Sequence, residues 1–422
     1  MMSDLTRSND PHIAQKSSGP LAGVRVVDLT RVLAGPWASQ TLADLGAEVI
    51  KVERPGRGDD CRLFGPPFLS REDGRATGAT SMFLMCNRGK RSLTLDLHRP
   101  EGLEVVHKLL AGADVLMENF RVGGMAKLGL DPVRLRDEIP RLIICSVTGY
   151  GQTGPYVDRG GYDPIIQAMC GMMSVTGRPP GEPGSGPIKT GPSIVDLFTG
   201  LYAVIAIQAA LARRCRDGRG TNIDMSLLDC GVQLVAQQAM LAAMTGAAPA
   251  PAGNTSNSAV PGGGYDCADG HIVFAIGNED GYRRMCQAIR RPDLATHPRF
   301  SNNIDRVLNR QELLAILLPI FASMRADDLV EALRRCDVPA TRVNDLIEVR
   351  ADPQVIAREI FRDLPDRNGE PVPQIAGPLM FDGERAMAAS PPPELGQDTD
   401  AILSEIGYGA DAIAALRAKR IV

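Results

Sequence analysis

The sequence predicts an α/β fold with a parallel sheet in the first part of the chain and a smaller second domain after it. Short apolar, β-branched runs alternate with helix-like segments, the spacing of strand–helix–strand units. The strand-like runs are 24–29, 48–53, 92–97, 114–118 and 141–147, and the helix-like segments are 37–45 and 101–110. A change of composition near residue 246 indicates where the second domain starts.

That change is a run rich in Gly, Ala and Pro at 246–253, which polar residues and glycines continue to Gly264. Such stretches are typical of linkers. We therefore expect a loose tail at 1–19, a large domain at 20–245, a linker at 246–264, a small α+β domain at 265–370 and a C-terminal return at 371–422. The elements expected in the last two parts are strands at 271–276 and 375–381, helices at 282–289, 310–324 and 326–336, and a helical pair after Asp398.

Composition excludes several classes of protein. The 422 residues are 44% hydrophobic with a net charge of −4, so no nucleic-acid partner is indicated. Nine cysteines without a Cys-x-x-Cys pair argue against a disulfide framework and a zinc site, and they fit a cytoplasmic protein. No run approaches the roughly 18 consecutive apolar residues of a membrane span, so we expect no membrane partner.

A carboxylate stands where a Pro/Gly-rich loop turns into a long apolar segment. The loop ends at Ser193, Asp196 follows, and 201–214 contains neither glycine nor proline. Asp196 would lie at the start of a helix, where the dipole and free backbone N–H groups favour an ionised side chain. It could then act as a nucleophile at neutral pH without a base. The alternative is that Asp196 is only a helix N-cap.

The string Gly149-Tyr-Gly-Gln-Thr-Gly154 has the spacing of a dinucleotide-binding loop and raises the alternative of a nicotinamide dehydrogenase. That motif requires a helix to begin inside the glycines. Pro155 and a polar stretch follow instead. The sequence therefore disfavours a nicotinamide site.

Further motifs extend in order along almost the whole chain. They are Leu21-Ala-Gly-Val-Arg-Val-Val-Asp-Leu29, Ala34-Gly-Pro36, Leu45-Gly-Ala-Glu-Val-Ile-Lys-Val-Glu-Arg-Pro-Gly56, Glu118-Asn-Phe120, Gly161-Tyr-Asp163, Asp196-Leu-Phe-Thr-Gly200 and Leu395-Gly-Gln-Asp-Thr399. With this ordered set the chain resembles the class III CoA-transferases, the CaiB/BaiF family. The resemblance implies a Rossmann-like large domain built from both ends of the chain, a smaller middle domain, and two ring-shaped chains interlocked as a homodimer.

The resemblance also implies the reaction. Asp196 matches the family's nucleophile, which forms an anhydride with the acyl group of a CoA thioester and then an aspartyl-CoA thioester. The partners would be an acyl-CoA and a carboxylic acid, with coenzyme A entering as substrate and no permanently bound cofactor or metal. The oxyanion of each step would be stabilised by backbone N–H groups, either of Gly149 and Gly151 or of the run 262–264.

By the same resemblance, Arg54 would meet the adenine and phosphate end of CoA, and Arg121 and Lys127 would lie near the phosphates. Solvated surface positions are the alternative for Arg121 and Lys127. The residues implied for the pantetheine channel are Leu33, Ala34, Leu95, His98, Asn119, Phe120, Arg159, Tyr162 and Asp163.

Two departures narrow the activity. Racemases of this family carry a histidine where this chain has Tyr162, and a tyrosine with a reference pKa near 10 is a poor proton shuttle at neutral pH. Formyl-CoA/oxalate enzymes carry a glutamine where this chain has Leu33. Both activities remain as alternatives, and the loop 31–36 resembles more closely the succinyl-CoA:dicarboxylate branch. A dicarboxylate needs a cation for its second carboxylate, for which Arg31 is the first candidate and Arg159 the second.

Overall fold

The computed structural model describes residues 19–70, 74, 76–256 and 259–422. The predicted loose tail, 1–19, lies outside these ranges except for Gly19. The chain divides into two compact units. The first comprises the chain to Cys170, Gly191–Val235 and Ala357–Val422, and the second comprises Gly171–Thr190 and Ala236–Ile356.

These limits differ from the predicted ones at both ends of the small domain. The linker-like run is bonded within the second unit, where Gly253 N–H donates to the Gly177 carbonyl and Gly264 N–H to the Asn254 carbonyl. At the other end, the second unit stops at Ile356, whereas the prediction carried the small domain to 370. The strand Phe361–Pro365 pairs with Pro371–Ile375, and the Arg88 guanidinium donates to the Ile375 carbonyl at 3.1 Å, so both strands belong to the first unit.

Strands and helices alternate in the first part of the chain, and the predicted strand-like runs and the helix-like segments 37–45 and 101–110 are among them. They are β1 Arg25–Asp28, α1 Ala34–Asp44, β2 Glu48–Glu53, β3 Phe68–Ser70, β4 Ala76–Thr80, α2 Ser81–Cys86, β5 Lys90–Thr94, α3 Pro100–Ala111, β6 Val115–Glu118, α4 Gly124–Lys127, α5 Pro132–Glu138, β7 Ile143–Thr148, α6 Asp163–Met169, α7 Met172–Val175, α8 Ile194–Asp217, β8 Asn222–Ser226 and α9 Leu227–Leu234.

The second unit is mainly helical with a small antiparallel sheet, in which Gly270–Phe274 is the central strand between Gly263–Cys267 and Ala340–Arg342. Its elements are α10 Ala236–Thr245, β9 Gly263–Cys267, β10 Gly270–Phe274, α11 Glu279–Ala288, α12 Asp293–Thr296, α13 Asn303–Leu308, α14 Arg310–Ser323, α15 Ala326–Arg335, β11 Ala340–Arg342, α16 Leu346–Ala351 and α17 Pro353–Ala357. The chain then returns to the first unit with β12 Phe361–Pro365, β13 Pro371–Ile375, β14 Met380–Phe381, β15 Glu384–Arg385, α18 Thr399–Glu405 and α19 Ala410–Ala418.

The core of the first unit is a six-stranded parallel sheet in the order β5-β2-β1-β6-β7-β8. The predicted α/β class with a parallel sheet is thereby confirmed. Strand order reverses direction between β1 and β6, and ligands of such sheets bind beyond the carboxyl ends of the strands at this switch point. Helices α3, α18 and α19 pack their apolar side chains on one face of the sheet, so both ends of the chain build this unit.

Helix α8 is the one helix within the described ranges that alone is long and apolar enough to cross a membrane. It has 24 residues and a mean hydropathy of 1.9, and 39% of its most apolar window is buried. Helices α9 and α10 reach the length and hydropathy of a membrane span only when they are counted as one segment. A core helix can reach the same length and hydropathy, so the absence of a membrane partner stays a prediction.

Four acidic and basic side chains are buried beside strands β1, β2 and β5. Lys51 pairs with Asp59 at 2.8 Å and Lys90 with Asp28 at 3.1 Å, and all four side chains have no exposed surface. Pairing overcomes the burial cost of the carboxylates, so the pKa values of Asp28 and Asp59 lie below their usual range. The Lys51 ammonium also donates to the Thr30 carbonyl at 3.0 Å. The network thus fixes the loop that follows β1.

Candidate active site

Asp196 lies in the first turn of α8, at the helix start that the sequence predicts. The expected consequence, a lowered pKa, is wrong. Burial raises the pKa of the Asp196 carboxyl to about 7, and the negative charge of Asp163 raises it further in the same direction. The Asp196 carboxylate is therefore more basic than an ordinary aspartate.

The helix start does not lower the pKa of Asp196, because the backbone N–H groups there bind other acceptors. The Val195 and Asp196 N–H groups both donate to Oδ2 of Asp163, at 2.9 and 3.3 Å. The Leu197 N–H donates to the Ser193 carbonyl. These three N–H groups bind Asp163 and Ser193, so they do not stabilise the Asp196 carboxylate, contrary to the expectation from the helix position.

Asp163 does not have the position expected of a pantetheine contact. Its side chain is buried, and its second oxygen, Oδ1, accepts from Nε2 of Gln167 at 2.6 Å. Both oxygens are thus used inside the protein. The neighbouring Tyr162, by contrast, is 65% exposed and remains available to a ligand.

Two turns pack backbone against backbone beside this helix start. A methyl group on Gly149 would lie 2.6 Å from the Cα of Gly161, and one on Gly161 would lie 2.4 Å from the Cα of Gly149. Only glycine permits that approach. The contact brings the turn that carries Arg159 and Tyr162 to the carboxyl end of β7.

Arg121 and Arg159 belong to this region. An added methyl group on Gly160 would lie 3.8 Å from Nη2 of Arg121. The Arg159 guanidinium stacks on the Tyr156 ring, 3.8 Å from its centroid. Within the described ranges, no carboxylate lies at ion-pair distance from Arg159. Both arginines are exposed cations.

The loop after β1 is held on two sides. The Asn119 amide accepts from the Arg31 N–H at 3.0 Å and donates to the Arg31 carbonyl at 2.8 Å. Asp59 accepts from the Val32 N–H at 3.0 Å. These bonds hold Val32 at a φ of 73°, a conformation that β-branched residues rarely adopt. The loop therefore has one defined course into Leu33 and Ala34.

Helix α1 starts from that loop and packs on α8 at Gly200. A methyl group on Gly200 would lie 2.7 Å from the Ala34 carbonyl oxygen and 3.0 Å from Cδ1 of Trp37. Asp196 precedes Gly200 by one helical turn, on the same face of α8. The fold thus brings Leu33 and Ala34 to the side of α8 that carries Asp196.

Three arginines share one carboxylate next to this loop. Asp60 contacts Arg54 at 2.5 Å, Arg31 at 3.1 Å and Arg57 at 3.3 Å. The Arg31 guanidinium also lies over the Phe120 ring, 5.7 Å from its centroid. The cluster keeps an excess of positive charge, which suits the phosphates of a nucleotide. Sequence reasoning missed Asp60, although it follows Gly58 and Asp59 in a polar turn.

The roles of the other predicted positions stay predictions, and the structure gives their surroundings. The Leu95 side chain packs in the core of the first unit. His98 is exposed, and its N–H donates to Asp96. Lys127 is an exposed residue in the last turn of α4. The Gly151 N–H donates to Thr148, and glycines 263 and 264 lie in the β9–β10 hairpin of the second unit.

The alternative of a nicotinamide site finds no support in the structure. In the described part of the chain, turns follow Gly154 and the next helix begins only at Asp163. No helix begins within the glycines of 149–154 in the described part of the chain, as the dinucleotide-binding motif would require.

The parallel sheet, the clamped loop after β1 and the basic Asp196 carboxylate define an α/β protein with a carboxylate site at its switch point. Comparison with known sequences identifies its class, since residues 21–399 match CoA-transferase family III. The chain belongs to this family and is a CoA-transferase, which confirms the resemblance that the motifs indicated.

Individual relatives are similar along nearly their whole length. A succinate–glutarate CoA-transferase of Agrobacterium fabrum is 43% identical, over 92% of this chain and 96% of the relative. A succinyl-CoA:glutarate CoA-transferase of Mus musculus is 38% identical, over 92% of this chain and 87% of the relative. The crystal structure of a CaiB/BaiF family protein from Brucella suis is 43% identical, with a TM-score of 0.81 over 92% of this chain and 99% of that one.

Proposed function

We propose that this protein moves CoA from succinyl-CoA to a second dicarboxylic acid and that Asp196 is the nucleophile. The names of the similar succinate–glutarate and succinyl-CoA:glutarate enzymes support the substrate class. The observation that carries the residue assignment is the half-buried Asp196 carboxylate, whose pKa is raised to about 7. Such a carboxylate is partly ionised at neutral pH and more nucleophilic than an ordinary aspartate.

The reaction proceeds by exchange of acyl groups. The Asp196 carboxylate attacks the thioester carbonyl, the C–S bond breaks, and CoA thiolate leaves as an anhydride forms. The thiolate then attacks the aspartyl carbonyl of that anhydride, which releases succinate and leaves Asp196 as a CoA thioester. The acceptor carboxylate attacks this thioester, and the same two steps in reverse deliver its CoA ester and regenerate Asp196. Exclusion of water protects both intermediates from hydrolysis.

We propose that the positive cluster around Asp60 binds the nucleotide end of CoA. In this proposal the phosphates meet Arg54 with Arg31 and Arg57, and pantetheine passes Leu33, Ala34, Asn119 and Phe120 on the way to Asp196. Arg121 lies by Gly160, and with Tyr162 it would border the acyl end. We propose no permanently bound cofactor and a cytoplasmic location.

A racemase is the second candidate, and the turn before α6 disfavours it. The residue there is Tyr162 rather than a histidine, and of the family's expected acid/base pair only Asp196 is present. His98 and His107 belong to the first unit, but His98 is exposed beside Asp96 and His107 lies within α3. Neither is at the start of α8.

A substrate panel tests the proposal. Succinyl-CoA, acetyl-CoA and formyl-CoA are each offered with glutarate, oxalate and butyrate, and the CoA esters formed are read by mass spectrometry. We expect the highest kcat/KM for succinyl-CoA with glutarate. Preference for formyl-CoA with oxalate would contradict the dicarboxylate assignment, and deuterium exchange at C2 of a 2-methylacyl-CoA without CoA transfer would identify a racemase.

We further propose the interlocked homodimer that the family resemblance implies. Helix α8 leaves Leu201, Tyr202 and Ile205 between 38% and 58% exposed in the single chain, an apolar face that a second copy would cover. Interlocked rings cannot separate without opening one chain. We therefore expect sedimentation at nanomolar concentration to show a dimer until the protein unfolds, whereas a reversible folded monomer would refute interlocking.

A further inference from the structure

The start of α8 is capped from a distance. Ser193 stands at the N-cap position but its side chain makes no capping bond. The acceptor for the first N–H groups is instead Asp163, which lies 32 and 33 positions before the two donors. A local cap was available in the sequence, and the fold uses a buried carboxylate from the first turn of another helix, α6.

This arrangement decides what the helix start does to Asp196. A carboxylate that accepts two or three backbone N–H bonds is strongly stabilised as an anion, and a carboxylate so stabilised is a weak nucleophile. The N–H groups of Val195 and Asp196 are held by Asp163 at 2.9 and 3.3 Å. Asp163 itself is fixed by Gln167 and buried, so it cannot swing away.

We propose that Asp163 is a positioning residue that keeps the Asp196 carboxylate reactive, by drawing the backbone N–H groups at the start of α8 to itself and by placing its own negative charge beside Asp196. The inference rests on the proposed role of Asp196 as nucleophile and adds the group that sets its reactivity. Asp163 touches neither CoA nor the acyl group in this assignment.

Other titratable groups on the elements that pack against α8 do not have this effect. These groups are Asp44 on α1, Cys145 on β7, Asp224 on β8, and Asp229 and Cys230 on α9. Burial and the charge of Asp163 are the causes that raise the pKa of Asp196. Among these groups, we therefore expect only removal of the Asp163 charge to change the pKa of Asp196.

The test is Asp163→Asn, which keeps the size and a hydrogen-bond acceptor while removing the charge. Single-turnover consumption of succinyl-CoA is measured against pH. We expect the acid limb of the rate profile to move down by about one pH unit or more, and the rate at pH 8 to fall by about 10-fold because the nucleophile is less basic. KM for succinyl-CoA should stay nearly unchanged.

Asp131→Asn is the matched control. Asp131 caps α5 through the N–H groups of Val133 and Arg134, the same kind of contact at another helix start. Its substitution should leave the acid limb in place. If Asp163→Asn only lowers the melting temperature and does not move the acid limb, Asp163 is an ordinary helix cap and the inference is wrong.

Infrared difference spectra of the wild-type protein give a second measurement that needs no folded Asp163 variant. Subtraction of the Asp196→Asn titration isolates the Asp196 carboxyl, whose midpoint should lie near 7. A midpoint of about 4 or below would mean that the helix start stabilises the anion, which overturns the inference. Failure of the proposed function is distinguishable, because Asp196→Asn would then retain turnover whatever the position of the acid limb.

Discussion

Asp196→Asn is expected to lower kcat for CoA transfer by at least about 10³-fold, because an amide of the same size cannot form the anhydride. Binding of succinyl-CoA should change little. Trapping with hydroxylamine should mark only the wild-type peptide that contains Asp196. Turnover above about one hundredth of wild type would refute Asp196 as the nucleophile.

A stability measurement on the same variant separates loss of the nucleophile from misfolding. The pKa of Asp196 is raised from 3.8 to about 7 in the folded protein, so the folded state holds a proton that the unfolded chain releases. Ionising Asp196 therefore costs stability as pH rises from about 4 to 7. We expect Asp196→Asn to be more stable than wild type above pH 7, by roughly 1 to 2 kcal/mol after allowance for its partial exposure. Below pH 4 the difference should vanish.

Arg159→Met is expected to raise KM for succinyl-CoA and for glutarate by about 10- to 100-fold, roughly 1.4 to 3 kcal/mol. The free carboxylate of a dicarboxylate needs a cation when it is desolvated. The sequence favoured Arg31, but Arg31 already shares Asp60 with Arg54 and Arg57. Arg159 lacks a carboxylate partner among the described residues, and its turn leads into the helix that holds the start of α8.

Butyrate and Arg31→Met are the controls for this prediction. A monocarboxylate acceptor has no second charge, so its KM should hardly change in Arg159→Met. Arg31→Met should instead weaken every CoA thioester alike, since its partners belong to the nucleotide cluster. If Arg159→Met affects butyrate and glutarate equally, Arg159 does not recognise the second carboxylate.

Hydrophobic spacing predicted five of the six strands of the central sheet, all except β8. The predicted run at 48–53 is β2, and the helix expected at 101–110 is α3 at Pro100–Ala111. Each depends on residues within one segment, and local periodicity therefore carries the information. The second unit ends at Ile356 rather than at 370, because β12 pairs with β13, and this contact between separate segments joins both strands to the first unit.

The site shows the same division between local and distant information. The sequence by itself determined the family, through ordered motifs, and the place of Asp196 at the start of a helix, through a Pro/Gly loop before an apolar segment. It could not show that Asp163 takes the N–H groups of that helix, that Asp60 gathers Arg31 and Arg54, or that Leu95 points into the core.

The pKa of Asp196 shows why the tertiary structure had to decide these points. From the sequence, the helix dipole and free N–H groups would lower it. In the folded chain those donors are engaged by Asp163, while burial and the charge of Asp163 raise it to about 7. The sequence determined that a carboxylate begins this helix. Only the tertiary structure decided how basic and how nucleophilic that carboxylate is, because desolvation and through-space charge depend on which distant residues the fold places beside it.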